Sequence, residues 1–427
     1  VKKEDGYDVY EEGKANGYFC KDENGEDFII GVWPGKCCFP DMLDDKARQW
    51  FGDKYRILID KGIDGFWNDM NEPAIFYSEK HLKEVFEKME DYKKMNLDVN
   101  TFFEMTGMIG GICNNPEDYA SFYHNYKGRR YRHDQVHNLF GYYMTRSASE
   151  AFERYVPEKR ILLFSRASYI GMHRFGGIWQ GDNASWWSHL KMNVKMMPSL
   201  NMCGFLYTGA DVGGFGADAT EDLVLRWLEF AVFTPLLRNH SARGTRRQEV
   251  YRFSHVEKFA DVIGVRYQIL PYIYSEYMKA ALCNTMMFNP LAFFYGEDAL
   301  AGQVEDQLFI GENVMVAPVC EQNVTGRVVY FPERMKQLIF ENGVVEEGEV
   351  YEKGFSYVEM PMGTVHVFLR EGYLFPVAKG GKCVEDVDFE DLKMYSFGEE
   401  IKPYEYYLDD GETKDFTIES HIRMLSC

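Results

Sequence analysis

At 427 residues the chain exceeds one ordinary domain of roughly 100 to 200 residues, so two or three domains, or one barrel with appendages, are expected. Hydrophobic residues at 46% and aromatics at 16% supply large cores and exclude a disordered chain. A formal charge of −20, from 47 basic and 67 acidic residues, repels phosphate backbones and anionic lipid, which excludes nucleic acid and membrane surfaces as partners. Nine cysteines, an odd number with no repeating spacing, form neither a disulfide framework nor a zinc pattern. Reduced thiols in a cytoplasmic protein are therefore expected. No apolar run reaches the ~18 residues of a membrane span.

Residues 1–60 read as a loop-rich lead-in, punctuated by Gly6, Gly13, Gly17, Gly25, Gly31 and Gly35. A short strand is expected at 28–33, ended by Pro34 and Gly35, and a helix at 47–55. The apolar run 63–67 then reads as a strand that meets Asn68, Asp69, Asn71 and Glu72 and is stopped by Pro73. Leu82, Val85, Phe86, Met89 and Tyr92 recur at helical spacing over 81–95 and predict a packing helix, followed by a loop to about 116. The basic run 127–132 needs no more than a solvated surface. A helix is predicted at 137–155, and a buried strand at 161–164 that delivers Ser165 and Arg166.

The next short apolar run ends in Trp179-Gln180-Gly181-Asp182-Asn183, with a helix expected at 186–200. A strand at 202–208 should end in Gly209-Ala210-Asp211, and a helix at 220–233 precedes Arg238-Asn239-His240. Ser254 and Glu257 have capping-box spacing and should open a long helix toward Ala281, kinked at Pro271. From about 284 the texture changes to short alternating strands, at 308–310, 314–319, 327–331 and 365–369, which indicates an all-β appendage.

Strand, polar end and helix thus recur, the pattern of a parallel β/α barrel whose chemistry sits at the strand carboxyl ends. A carboxylate at one strand end commonly does no more than cap a turn. Here two strand ends share the same grammar, an apolar run meeting a tryptophan and then an aspartate. An indole face packs on the C–H face of a pyranose while carboxylates bind hydroxyls or attack the anomeric carbon, so the pair suits a sugar.

Trp67-Asn68-Asp69-Met70-Asn71-Glu72 and Trp179-Gln180-Gly181-Asp182-Asn183 resemble the nucleophile and acid/base motifs of glycoside hydrolase family 31, the α-glucosidase family. Ser165-Arg166-Ala167-Ser168, Gly209 to Phe215 and Arg238-Asn239-His240 match further family motifs in order. The resemblance implies an α/β fold: a (β/α)8 TIM barrel, of which this chain carries the later strands, followed by C-terminal all-β domains. By that comparison a partial barrel spans 1–283, with an inserted helical segment near 77–136. A proximal β domain at 284–370 and a short distal one at 371–427 come next, and an N-terminal β-sandwich and three barrel strands would precede Val1. The stretch alone is then expected to be inactive.

The resemblance makes Asp69 the nucleophile and Asp182 the acid, then the base, of a retaining glycosidase, two carboxyls that in such enzymes stand about 5 to 5.5 Å apart. It makes Arg166 and His240 contacts to sugar hydroxyls, places Asp211 and Phe215 beside the pocket, and makes Trp67 and Trp179 its walls. Glu72 is expected to brace its loop. The wording Met70-Asn71-Glu72 favours glucose over xylose. The expected substrate is a short α-linked gluco-oligosaccharide, handled without metal or organic cofactor. An α-transglucosylase on the same site and a non-catalytic carbohydrate-binding relative are the alternatives, and the second would need a lost Asp69 or Asp182.

Overall fold

A computed structural model describes residues 1–426, and its backbone divides into two units, Val1–Gly176 and Gly177–Cys427. In the first, the lead-in is more regular than its glycines suggest. Asp8–Ala15 is helical, and Gly13 lies inside that helix because the rings of Phe19 and Trp50 occupy the space of a side chain; an added Cβ would stand 2.8 Å from Trp50. The expected strand forms at Ile29–Val32 and turns back at Gly35, φ +94°, into Gly35–Cys38. The predicted helix is Asp45–Asp53, capped by Asp44, whose carboxylate accepts from the N–H groups of Lys46 and Ala47.

The two strands that carry polar ends run parallel and in register, Gly65–Asn68 against Leu162–Ser165. Behind them lies the long helix His133–Tyr155, longer at its start than its apolar spacing indicates, with Phe152 stacked on Phe66 at 5.2 Å. Gly141 brings this helix against both strand-end loops: a Cβ there would stand 2.8 Å from Asn71 O and 2.7 Å from Ala167 Cβ.

The helix expected at 81–95 is Glu79–Tyr92, capped by Ser78. Its apolar stripe is not the expected packing face, since Phe86 is exposed and only His81 is buried. The loop expected up to 116 holds a second helix, Val99–Gly110, started by a capping box between Asp98 and Thr101. Gly107 and Gly110 hid it, because glycine lowers helix propensity without forbidding a helix. On it Phe102 and Phe103 are 62% and 66% exposed. The basic run forms the turn and second strand of a hairpin, Phe122–Tyr126 with Arg129–Arg132, with Lys127 and Gly128 at positive φ.

A buried polar row crosses this unit. Asp41 Oδ1 is 2.8 Å from His124 Nδ1, and His124 Nε2 is 2.9 Å from His133 Nδ1. Burial first, and then the neighbouring rings of His124 and His137, push His133 down to about 2. The folded protein keeps this ring neutral, whereas the unfolded chain takes up its proton near pH 6.5. Because the folded value is the depressed one, this stability is complete above about pH 6.5 and declines on acidification. Urea unfolding at pH 5 should therefore show about 2 kcal/mol less stability than at pH 7 from this group. His133→Gln should flatten the dependence, and an equal slope in the variant would contradict the assignment.

In the second unit, Gly177–Ile178 is a brief strand, and the run 202–208 does not form the regular strand expected of it. The helix Trp187–Met202 takes its first residue, and Cys203 and Gly204 make a turn. Beyond that turn the backbone is extended: Ile178 N–H donates to Tyr207 O at 3.1 Å, Gln180 N–H to Gly209 O at 2.9 Å, and Leu236 N–H to Thr208 O at 3.2 Å. The segment is thus held on both sides.

The helices Glu221–Ala231 and Val256–Cys283 come next. The Ser254–Glu257 capping box does not form. Glu221 does that work instead, its Oε1 accepting from His255 N–H and lying 2.8 Å from His255 Nδ1. Pro271 lies inside the helix, which continues past it.

The all-β region contains an antiparallel sheet in the order Phe288–Pro290, Leu308–Ile310, Val314–Val316, Val365–Arg370, Met335–Glu341 and Val344–Tyr351. Gly326–Phe331 pairs with Gly354–Glu359. Buried Arg226 ties the Glu221–Ala231 helix to this region by donating to Met360 O at 2.9 Å and Val324 O at 3.2 Å. Among the described residues eight cysteines are free thiols, and no helix is long and apolar enough to cross a membrane.

Candidate active site

In the first unit, parallel pairing sets Asn68 opposite Ser165, so Asp69 and Arg166 each come directly after a strand end. Arg166 N–H donates to Asn68 O at 2.9 Å. The Asp69 carboxylate is exposed; its Oδ1 accepts from Met70 N–H at 2.8 Å and lies 3.3 Å from Arg166 Nη1. Met70 has φ +56°, a conformation costly for a side chain. Arg166 is gripped on its other edge by Glu72, with Nε to Oε1 at 2.6 Å and Nη2 to Oε2 at 2.9 Å. A bidentate pair of this kind fixes the plane of the guanidinium. Glu72 braces the loop by holding Arg166.

Asn71 closes the arrangement from below. Buried, it donates through Nδ2 to Ser165 Oγ at 2.8 Å and accepts at Oδ1 from Ala167 N–H at 3.0 Å, tying the two strand-end loops together. Trp67 is 37% exposed, its ring parallel to Phe164 at 6.0 Å.

In the second unit, Asp182 is exposed and sits directly after Gly181 at φ +79°. Asn183, buried, anchors the loop: Nδ2 donates to Asn193 Oδ1 and to Asp211 O, both at 3.1 Å, and Oδ1 accepts from Phe215 N–H at 3.1 Å. Asp211 is fully buried, its Oδ1 receiving Arg238 Nε at 2.8 Å and Nη2 at 2.5 Å. Trp179 is also buried, with the Arg238 guanidinium 5.5 Å from its ring. These two lie behind the surface, and Arg238 connects them. Phe215 and His240 stack at 5.3 Å.

A contact between loops sets the position of Asp182. Ser185 N–H donates to Gly216 O at 2.7 Å, and a Cβ at Gly214 would stand 2.6 Å from Ser185 Cα. Gly214 also has φ +91°. Gly214→Ala should cost about 1 to 3 kcal/mol and, by displacing Asp182, reduce turnover roughly 10²-fold. Thermal unfolding and kinetics check this, and wild-type values on both would show that the contact is dispensable.

One group among the described residues has metal-ligating chemistry, Cys20, Asp41 and His124, whose ligand atoms lie within 4.8 Å of one another. The 2.8 Å between His124 Nδ1 and Asp41 Oδ1 is a hydrogen-bond length, shorter than the roughly 3.3 Å between two light ligands of tetrahedral zinc.

The sequence model of the Glycosyl hydrolases family 31 TIM-barrel domain matches residues 1–276, and that of the family's C-terminal domain matches residues 284–375. The chain belongs to glycosyl hydrolase family 31. Alpha-glucosidase 2 of Bacillus thermoamyloliquefaciens is 31% identical over 99% of this chain and 49% of its own length. The alpha-glucosidase of Saccharolobus solfataricus is 29% identical over 84% of this chain and 50% of its own. The family 31 chain described here thus spans about half the length of these relatives. A glucosidase II alpha subunit structure superposes with TM-score 0.79 at 22% identity, covering 99% of this chain and 43% of that one. The Flavobacterium johnsoniae family 31 dextranase complexed with glucose does so with TM-score 0.76 at 23% identity, covering 96% and 48%. The α/β TIM-barrel class with a C-terminal all-β region, expected from sequence, is the class of these family 31 matches.

Arg238 as the partner of Asp211, and the buried Asn71 and Asn183 as anchors, were not expected from sequence. Asparagine soon after each candidate aspartate was the available signal, because a buried amide next to a strand end must find several partners.

Proposed function

We propose that the protein is an α-glucosidase that releases terminal glucose from short α-linked oligosaccharides by double displacement, with Asp69 as nucleophile and Asp182 as acid and then base. The observation that carries the reading is the setting of Asp69. Its carboxylate is exposed at a parallel strand end and oriented by Met70 N–H and by an arginine that Glu72 holds rigid. A nucleophile needs that combination of access and orientation. Two relatives that carry the name alpha-glucosidase, and a related dextranase complexed with glucose, support a gluco-configured substrate. Arg166 and His240 would bind its hydroxyls, with Trp67 and Phe215 against its ring.

The test uses the full-length protein on maltose, isomaltose and an aryl α-glucoside, with proton NMR of the first sugar formed. Release of the α-anomer before mutarotation is expected. The β-anomer would exclude double displacement, and no released glucose would exclude the activity.

A further inference from the structure

The buried row in the first unit does not end at His133. His133 Nε2 is 2.8 Å from His137 Nδ1, so Asp41, His124, His133 and His137 form one hydrogen-bonded series. Donor and acceptor chemistry fix its direction. Both oxygens of Asp41 act as acceptors, Oδ2 from Asn125 N–H at 2.6 Å and Oδ1 from Leu43 N–H at 3.3 Å, so the hydrogen between Asp41 and His124 belongs on the ring. Cys20 fits this direction: its Sγ is 3.6 Å from Pro40 O, to which the thiol donates, and 3.5 Å from His124 Nδ1. With a neutral His124 ring this means Nδ1–H and a bare Nε2, which requires Nδ1–H on His133, which in turn requires Nδ1–H on His137. One carboxylate sets three tautomers.

The far end of the series meets the loop after Asp69. Tyr119 lies against both distal rings, with centroids 5.6 Å from His133 and 5.1 Å from His137. Its hydroxyl lies 3.0 Å from Pro73 O, one residue beyond Glu72, and 3.0 Å from Asn114 Oδ1, so two acceptors on this side share its one hydrogen. Glu72 holds Arg166, and Arg166 reaches Asp69.

We propose that Asp41, His124, His133 and His137 are positioning residues, a tautomer-locked rod that with Tyr119 sets the Glu72–Arg166 pair and thereby aims Arg166 at Asp69. The catalytic part of this inference rests on Asp69 being the nucleophile, whereas its geometric part does not.

Asp41→Asn tests it in the full-length protein. Asn125 N–H, at 2.6 Å the closer backbone donor, retains the amide oxygen, so the amide NH₂ faces His124 at the expense of the 3.3 Å contact from Leu43 N–H, and the series should invert, with all three rings becoming Nε2–H. Long-range ¹H–¹⁵N correlation on histidine-labelled protein reads the tautomers, and the Nε–H resonance of Arg166 reads its hold on Glu72. Inverted tautomers, a shifted Arg166 signal and a loss of up to about 100-fold, the size that a small misplacement of a reacting group can cost, are expected, carried mainly by kcat. In a double-mutant cycle with Glu72→Gln the losses should be less than additive, as for residues acting through one path. If Asp41→Asn does not fold, His137→Asn, which restores a donor to His133, should retain more activity and a more native Arg166 signal than His137→Leu.

Nε2–H rings in the wild type would overturn the inference, as would inverted tautomers with Arg166 unmoved or equal behaviour of the two His137 variants. A wild type without glucosidase activity would remove the function assigned to Asp69, while the tautomer and Arg166 signals would still decide the rod.

Discussion

Replacing Asp69 by Asn should abolish turnover of every natural substrate, with kcat/KM falling roughly 10⁴-fold or more, because the group that forms the covalent intermediate is gone. Asn keeps the volume of Asp and an acceptor for Met70 N–H, which the native carboxylate receives at 2.8 Å. Thermal stability should change little, and a collapsed melting temperature would mean that the loss reflects folding. Asp69→Gly goes further by opening space at the anomeric carbon. A β-glucosyl fluoride mimics the missing ester, so this variant should couple it to an acceptor sugar with an α linkage. Wild-type hydrolysis by Asp69→Asn would reassign the nucleophile.

Asp182→Ala should discriminate between leaving groups. Protonation by a positioned acid is worth roughly 10² to 10⁴-fold. A disaccharide should lose that full amount, whereas an α-glucosyl fluoride, whose leaving group needs no proton, should lose far less in the first step. Water attack on the intermediate also slows without its base. Added azide should then accelerate turnover and yield the α-glucosyl azide, the product of two inversions. Azide rescue giving the α-azide with the Asp69 variant, and none with Asp182→Ala, would exchange the two roles.

The elements that the sequence predicted well bury one complete face. The strands at Gly65–Asn68 and Leu162–Ser165 and the helix His133–Tyr155 fall within a few residues of expectation, because burial against one another demands a continuous apolar period. Each miss has its own cause. Gly13 and Gly107 read as breakers yet lie in helices, the first because two aromatic rings need the space of its side chain. Ser254 and Glu257 have the spacing of a capping box, but Glu221, 34 residues away from His255, supplies the acceptor. Period and spacing describe a segment, and they carry no information about a partner elsewhere in the chain.

The candidate site divides in the same way. Asp69 and Asp182 stand out because each follows an apolar run that meets a tryptophan, a grammar that capping one turn would not repeat at two strand ends. Glu72 is legible as a loop brace but its partner Arg166, 94 positions away, is not, and Arg238 does not stand out at all, since its importance lies in the carboxylate of Asp211, 27 positions away.

The contact between Gly214 and Ser185 also constrains how this protein can diversify. Asp182 sits in a loop whose backbone is bonded to the loop after Asp211, so a residue added to either would shift both at once. Variation in length has a less costly outlet near the exposed helices Glu79–Tyr92 and Val99–Gly110, where few side chains are buried and added residues disturb little. Chains descended from a common ancestor with this one should therefore differ in length between 79 and 116 long before they differ between 181 and 216.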